Sequence, residues 1–218
     1  MSSTARKPGR PKDPDLEARR RTEILDAAAL AFADLGFAST DVQVIADRVG
    51  VGKGTVYRYF ATKEALFLAA VERGLQDLTE RVDSAIADPN ADPLGLIEIA
   101  IRTYFRFFHE RPEMAELFIQ ERAAFPHHHR PLYFVDDEAC DAKHDALFRR
   151  MVDSGQIRDI PRDRFFSVVG DLLYGTILTN LLTGRPADPD AQTRDVLDVV
   201  LFGILNPAGR CRTNGETS

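Results

Sequence analysis

Only two cysteines occur in the 218 residues, Cys140 and Cys211, far apart and one of them in a polar tail. No disulfide framework can therefore be expected to hold the fold, and a reducing, cytoplasmic setting fits. No apolar run approaches the roughly 18 residues that a membrane-spanning helix needs, and the charged N-terminus is not followed by a hydrophobic segment. Neither membrane insertion nor export is expected. The chain has no convincing alternating strand pattern, no internal repeat and no low-complexity tract beyond its two tails. It also lacks a nucleophile–base signature, a phosphate loop and a metal pair, so no enzymatic activity and no cofactor are expected, although a site assembled only by geometry leaves no such trace.

What is present is helical and electrically lopsided. The formal charge is −6 with 44% apolar residues, enough for a substantial core. Residues 1–63 hold 11 Lys and Arg against 8 Asp and Glu, net +3, and the remainder holds 17 against 26, net −9. A weakly basic head on an acidic body is the asymmetry of a chain that meets an anionic polymer at one end. Residues 1–15, rich in Ser, Pro, Gly and charge, read as a flexible basic arm, and 207–218 as a flexible tail. Ile24, Leu25, Ala28, Phe32 and Leu35 recur at helical spacing up to Gly36, a natural C-cap. Thr40 and Gln43 have the form of a capping box opening a short helix over 41–49 that ends at Gly50. A third helix is expected over 53–60, and Thr62 can cap a long fourth over 63–87. The spacing beyond predicts helices over 93–109, 112–124, 132–154, 161–183 and 190–205, several opening on a first-turn proline. The expected fold class is all-α with about nine helices.

Between Gly50 and Leu66 the sequence runs GVGKGTVYRYFATKEAL. At about 100° per residue Val56 and Phe60 share one face, with Val51 able to join them, and Lys53, Thr55, Tyr57 and Arg58 fall on the others. A helix, a tight turn at Gly50–Gly52 and a second helix with an exposed polar face form a helix-turn-helix pattern, whose second helix enters the major groove of DNA. With no side chain at Gly52 or Gly54, backbone can come close to a groove wall. Over residues 20–66 the chain resembles the DNA-binding domain of the TetR (tetracycline-repressor-like) family, through Thr40, Ile45-Ala46, Gly50-Val51, Lys53-Gly54-Thr55-Val56-Tyr57, Phe60 and Thr62-Lys63-Glu64-Ala65-Leu66. The resemblance implies a homodimer on a palindromic double-stranded DNA operator, with a C-terminal body that provides a ligand pocket and, through its last two helices, the dimer interface. It places Lys53, Gly54, Thr55 and Tyr57 at groove-reading positions and Thr40, Arg58, Tyr59 and Lys63 at phosphate contacts. Gly52 stands where relatives often carry a capping Ser, and Tyr59 where they often carry His. The implied domains are a helix-turn-helix domain over 16–66 and a ligand-binding and dimerisation domain over 67–206.

Gly9-Arg10-Pro11 in the arm resembles the core of minor-groove AT-hook segments, with Pro8 in place of the usual arginine; non-specific phosphate attraction is an equal alternative. The run His127-His128-His129 lies between Pro126 and Pro131, which favours a solvated loop over a metal site. Acid around Cys140 argues against a sensing thiol. Ten of the 14 Phe lie after residue 100. Most belong to a core, and Tyr104, Phe108, Phe118, Phe125 and Tyr174, with Arg122 or His144 supplying polarity, are the expected lining of a pocket for an aromatic or amphipathic small-molecule effector. The apolar residues of 161–183 and 190–205, with Gly170, Gly175 and Thr179 among them, suit either a core or a dimer interface. The resulting expectation is a transcriptional regulator, a repressor released by its ligand. The alternatives are a nucleoid-associated protein of the same fold without an inducer, and an all-helical enzyme.

Overall fold

A computed structural model of the chain describes residues 14–126 and 138–202, with side chains described over 15–126 and 144–201. The arm, the His127–His129 run, the Cys140 side chain, Cys211 and the tail lie outside the described residues. Nine α-helices follow one another, and there is no strand among the described residues. They are α1 Pro14–Leu35, α2 Val42–Arg48, α3 Lys53–Tyr59, α4 Lys63–Ala85, α5 Pro93–Glu110, α6 Pro112–Ala124, α7 Glu138–Asp153, α8 Arg162–Thr183 and α9 Pro189–Leu197. A π-helical stretch, Asp198–Phe202, continues α9, where the sequence pattern predicts uninterrupted α-helix. By compactness the chain divides into residues 1–73 and 74–218, and α4 carries the backbone from one unit into the other.

In the first unit α1 buries Ile24, Leu25, Ala28 and Phe32 as its spacing predicts, whereas Leu35, the fifth residue of that pattern, lies exposed at the helix end. The helix ends where Gly36 takes φ +81°, a left-handed conformation that favours glycine. Phe32, Phe37 and Phe67 form an aromatic triangle with ring centroids 5.1–5.9 Å apart. The start of α2 differs from the sequence expectation. Its N-cap is Asp41, whose Oδ1 accepts from the Gln43 N–H at 2.8 Å, while the Gln43 side chain donates to Asp47. An Asp one position after the threonine is an equally good cap, and it leaves Thr40 free for another task. Thr62 caps α4 as expected, accepting from the Ala65 N–H at 3.0 Å.

In the second unit α5 is the central element, packed by α6, α7, α8 and α9. Asp92 and Asp188 cap α5 and α9 ahead of Pro93 and Pro189, so each proline falls where a helix has no N–H to lose. Leu96, Ile101, Phe105, Phe107, Met114, Leu117, Phe118 and Met151 fill the core. The last helical turns of α4 approach α6 closely: a β-carbon on Gly74 would lie 2.0 Å from Met114 Cε and 2.5 Å from its Sδ. Next to this contact Asp77 accepts from Arg81 at 2.9 Å and from Arg111 at 3.0 Å. Arg81 reaches on to Glu110 at 2.7 Å and Arg111 to Glu113 at 3.0 Å, and both guanidinium groups lie over the Phe107 ring. Partial burial pushes the Asp77 carboxyl upward, and the hydrogen bonds and charges of the two arginines outweigh it, so the group sits below its ordinary value.

Two outcomes follow for stability. Gly74→Ala gains about 1 kcal/mol of helix propensity but drives a methyl into a fully buried Met114, an overpacking that costs about 1–3 kcal/mol. Urea unfolding should show a net loss, and in a Met114→Ala background the same change should turn neutral or favourable; stabilisation by Gly74→Ala alone would refute the contact. Asp77, being depressed, stabilises the fold fully above the ordinary carboxylate value of about 4 and ceases to do so as pH falls through its lowered folded value. Asp77→Asn should therefore lower stability at neutral pH and flatten the acid limb of the stability–pH curve, which thermal melts from pH 7 to 3 would register; an unaltered acid limb would contradict the assignment.

Candidate nucleic-acid interface and candidate effector cavity

The α2–α3 pair is set by its turn. Gly50 takes φ +66°, and the Val51 N–H bonds back to Ala46 at 2.9 Å. Arg20 of α1 donates to the Val49 carbonyl at 3.3 Å, and Arg48 pairs with Asp34 at 2.8 Å, so α1 holds the turn and α2 from one side. On α3, Val56 and Phe60 are buried, which fixes the opposite face outward. Tyr57 is 42% exposed, Arg58 and Gly54 are exposed, and Thr55 and Tyr59 are half-buried. A β-carbon on Gly52 or on Gly54 would meet nothing within 4 Å. Packing within the unit therefore does not require glycine at either position.

The basic side chains around this face differ in how they are held. Lys53 pairs with Asp41 at 2.6 Å, tying the start of α3 to the cap of α2. The Gln43 N–H and then Lys53 hold the Asp41 carboxyl below its usual range, and the Asp41 hydrogen bond raises the Lys53 ammonium. Lys63 donates to the Ala38 and Thr40 carbonyls at 3.1 and 3.2 Å and lies over the Phe37 ring. Arg58 lies over Tyr59, and Arg21 of α1 over Phe60 at 5.1 Å. Thr40 lies at the junction between the end of α1 and the start of α2. It is buried, and its hydroxyl donates to the Gly36 carbonyl at 2.7 Å, closing the end of α1. The other seven expected positions, Lys53, Gly54, Thr55, Tyr57, Arg58, Tyr59 and Lys63, lie on α3 or at the start of α4.

The second unit contains a cavity of about 330 Å³ between α4, α5, α7 and α8. One wall is a stripe of α4, Leu75, Leu78, Thr79, Val82, Asp83 and Ile86, at the 3–4-residue spacing of a helix face. Ile97, Ile101 and Tyr104 of α5, His144 and Leu147 of α7, and Phe165, Phe166, Val169 and Leu173 of α8 complete it. Of the seven residues expected from sequence, Tyr104 and His144 are in the lining. Phe108 and Phe118 are instead stacked into the solid core, 5.7 Å apart, with Tyr104 5.0 Å from Phe108. Arg122 is exposed and donates to the Pro126 carbonyl, and Phe125 follows the end of α6. Tyr174 is half-buried, and burial together with the Glu121 charge raises its phenol. The α4 stripe and the Phe165-Phe166 pair are the part that sequence reasoning missed; the signal was the apolar periodicity of α4, read only as a connecting helix. Among the described residues no group of three or more His, Cys, Asp or Glu is placed to hold a metal ion.

A third feature is the outer face of α8 and of the π-helical stretch that continues α9. Val168, Leu182 and Val199 are 58%, 72% and 50% exposed. Contrary to the expectation from sequence, α8 is long and apolar enough to cross a membrane by length and composition, with a mean hydropathy of 1.5 over 18 residues of which only 17% are buried. Its Gly, Ser, Thr and Asn residues break up the apolar run to the eye without lowering the average far.

Residues 24–70 match the family described as bacterial regulatory proteins, tetR family, and this span contains the α2–α3 turn, the bare glycines and Tyr57. The match is confined to this segment of the first unit. It is 28% identical over 137 residues to the HTH-type transcriptional activator FasR of Mycolicibacterium smegmatis, covering 62% of this chain and 61% of that protein. It is 32% identical over 120 residues to the HTH-type transcriptional repressor KstR2 of Mycobacterium tuberculosis, covering 55% and 51%. The chain thus spans between half and two thirds of the length of these two relatives. FadR of Bacillus subtilis, solved in complex with stearoyl-CoA, superimposes with a TM-score of 0.66 at 19% identity over 84% of this chain and 99% of that one, a likeness of fold. These relatives are named regulators of transcription, one an activator and one a repressor.

Proposed function

We propose that this chain is a cytoplasmic, ligand-responsive regulator of the TetR family that binds a palindromic DNA operator as a homodimer, most simply as a repressor released by its ligand. The observation that carries the reading is the outward face of α3. It presents Tyr57 and Arg58 beside two glycines whose missing side chains serve no internal packing, as a surface that another body must approach closely would require. In this reading residues 16–66 contact DNA and 67–206 bind ligand and dimerise. Tyr57, Thr55 and the Gly54 backbone meet base edges, while Arg58 and Tyr59 meet phosphate. Lys53 and Lys63 orient α3 and the start of α4 through their internal bonds as well as adding positive charge.

The cavity favours a ligand-responsive regulator over a DNA-coating protein of the same fold, and the stearoyl-CoA complex of FadR supports an effector with a long apolar body. Regulation then requires that ligand favour a conformation in which two recognition helices no longer match major grooves about 34–36 Å apart. A coupling of about 1–3 kcal/mol corresponds to release by roughly 5- to 150-fold. The wall that α4 gives to the cavity makes that helix the natural carrier, since its first residues belong to the DNA-binding unit. The exposed apolar face of α8 and of the π-helical stretch after α9 is covered by a second copy, as two-fold operators demand two-fold proteins.

Tyr57→Ala should weaken binding to the cognate operator by about 1–3 kcal/mol with little effect on random DNA, whereas Arg58→Ala should weaken both and reduce the salt slope by about one unit. Fluorescence anisotropy at several salt concentrations separates these, and equal losses on both DNAs for Tyr57→Ala would remove it from base readout. Gly175 provides the test of assembly. A β-carbon there meets nothing within 4 Å in the single chain, so Gly175→Arg should fold, sediment as a monomer and lose operator affinity. A monomeric wild type would refute the dimer.

A further inference from the structure

The charged and ring-bearing polar groups around the cavity are already occupied within the chain. Asp83 is half-buried and has an interaction of its own, as have Tyr104 and His144. The Tyr104 ring packs against Phe105 and Phe108, and the His144 ring stacks on Phe166 at 5.8 Å. Among the described lining residues there is no Lys or Arg. Arg81, Arg102 and Arg162 on the adjoining helices are bound to acids, Arg81 to Asp77 and Glu110, Arg102 to Glu98 and Asp190, and Arg162 to Asp145 and Asp163. A ligand head carrying a full charge of either sign would therefore leave water with no counter-charge set aside for it, and an uncompensated charge is far costlier to bury than a neutral polar group.

Thr79 offers a different kind of contact. It stands on the cavity stripe of α4, one turn from both Leu75 and Val82, and is half-buried. A threonine hydroxyl has two acceptor lone pairs, so even while donating to its own helix it can accept from a neutral donor. The cavity volume of about 330 Å³, at about 30 Å³ for each water-sized group, gives room for about eleven such groups. A stearoyl chain exceeds it.

We propose that the cavity takes a neutral hydrophobe about ten carbons long, whose hydroxyl or N–H donates to Thr79, and that it discriminates against both anionic and cationic heads on the same body. The proposal rests on the reading of this cavity as the effector site and deepens it. Leu75, Leu78, Val82, Ile97, Ile101 and Leu173 supply the alkyl contacts. Such an occupant differs in charge and in length from the stearoyl-CoA bound to FadR.

The test is calorimetric titration of the full chain with 1-decanol, decanoate, decylammonium and stearoyl-CoA, each below its micellar concentration and at neutral pH. Wild type should bind decanol at least about tenfold more tightly than either decyl ion, since each ion must be buried unpaired. Thr79→Val, which keeps the shape and removes the hydroxyl, should weaken decanol by about 2- to 12-fold, the worth of one neutral hydrogen bond, and Thr79→Ser should restore it. Gly170 lines the cavity and a β-carbon there would meet nothing within 4 Å, so Gly170→Leu should fold and shift the preference from decanol to a shorter alcohol such as hexanol. Leu173→Trp should abolish decanol binding, with thermal melts confirming that it folds. Equal wild-type affinities for decanol and either decyl ion, abolished by Leu173→Trp, would overturn the neutral head while leaving the cavity as the effector site. Decanol affinity unchanged by Thr79→Val would overturn the contact assigned to that residue. Binding of stearoyl-CoA but not of decanol, lost in Leu173→Trp, would overturn the ligand class and keep the site. Equal affinity of every ligand for wild type, Gly170→Leu and a folded Leu173→Trp, or failure of all four to bind wild type, would overturn both.

Discussion

Met114 of α6 occupies the space that a side chain on Gly74 would fill, and this contact sorts the faces of α4 beyond it. With 3.6 residues per turn, Leu75, Leu78, Thr79, Val82, Asp83 and Ile86 lie to one side of Gly74, and Asp77, Glu80, Arg81 and Ser84 to the other. The first side borders the 330 Å³ cavity and the second a polar cleft shared with α5. Arg111, at the start of α6, gives the ion-pair network on the second side its second arginine.

The charge asymmetry has a local structure that totals conceal. In the first unit several acids are already bound by bases: Asp34 by Arg48, Asp41 by Lys53 and Glu23 by Arg20. Exposed pairs of this kind contribute little stability, about 0–1 kcal/mol each. Their effect is instead to fix α2, α3 and the turn in register while cancelling charge away from Arg58 and Arg21. A modest net charge is therefore compatible with a positive rim at α3, the feature a phosphate backbone responds to.

The helices and the helix-turn-helix segment could be read from sequence because their determinants are local. Periodic apolar residues, Gly36 and Gly50 at left-handed positions, and proline in first turns all act within a few residues of where they stand. The capping of α2 was misassigned by one residue because Thr40 and Asp41 are both competent caps, and only the tertiary demand at the end of α1 allots the Thr40 hydroxyl inward. The cavity was the hardest feature to read. Empty space is a property of what several distant helices fail to fill, and aromatic residues attract attention because they fill it. Phe108 and Phe118 close on each other, whereas alkyl side chains from α4, α5 and α8 leave a gap. Only Tyr104 and His144, at the border between the two, belong to the expectation and to the lining alike.

Among the described residues, two surfaces stand out by what they expose, and they differ in kind. The face of α3 is polar, exposes Tyr57 and Arg58, and carries no side chain at Gly52 and Gly54, which suits the anionic partner proposed for it. The face of α8 and of the π-helical stretch after α9 exposes Val168, Leu182 and Val199, whose burial is worth about 1.5–3 kcal/mol per side chain if fully removed from water. An anionic polymer gains nothing from such a face, and another apolar protein surface gains nothing from the first. Asp171, exposed midway along α8, also suits a wet protein–protein rim better than lipid, where a charge at the bilayer centre costs about 2.5–3.5 kcal/mol. The same residues that make α8 apolar enough to resemble a membrane span therefore suit an apolar protein surface such as the proposed second copy better than lipid.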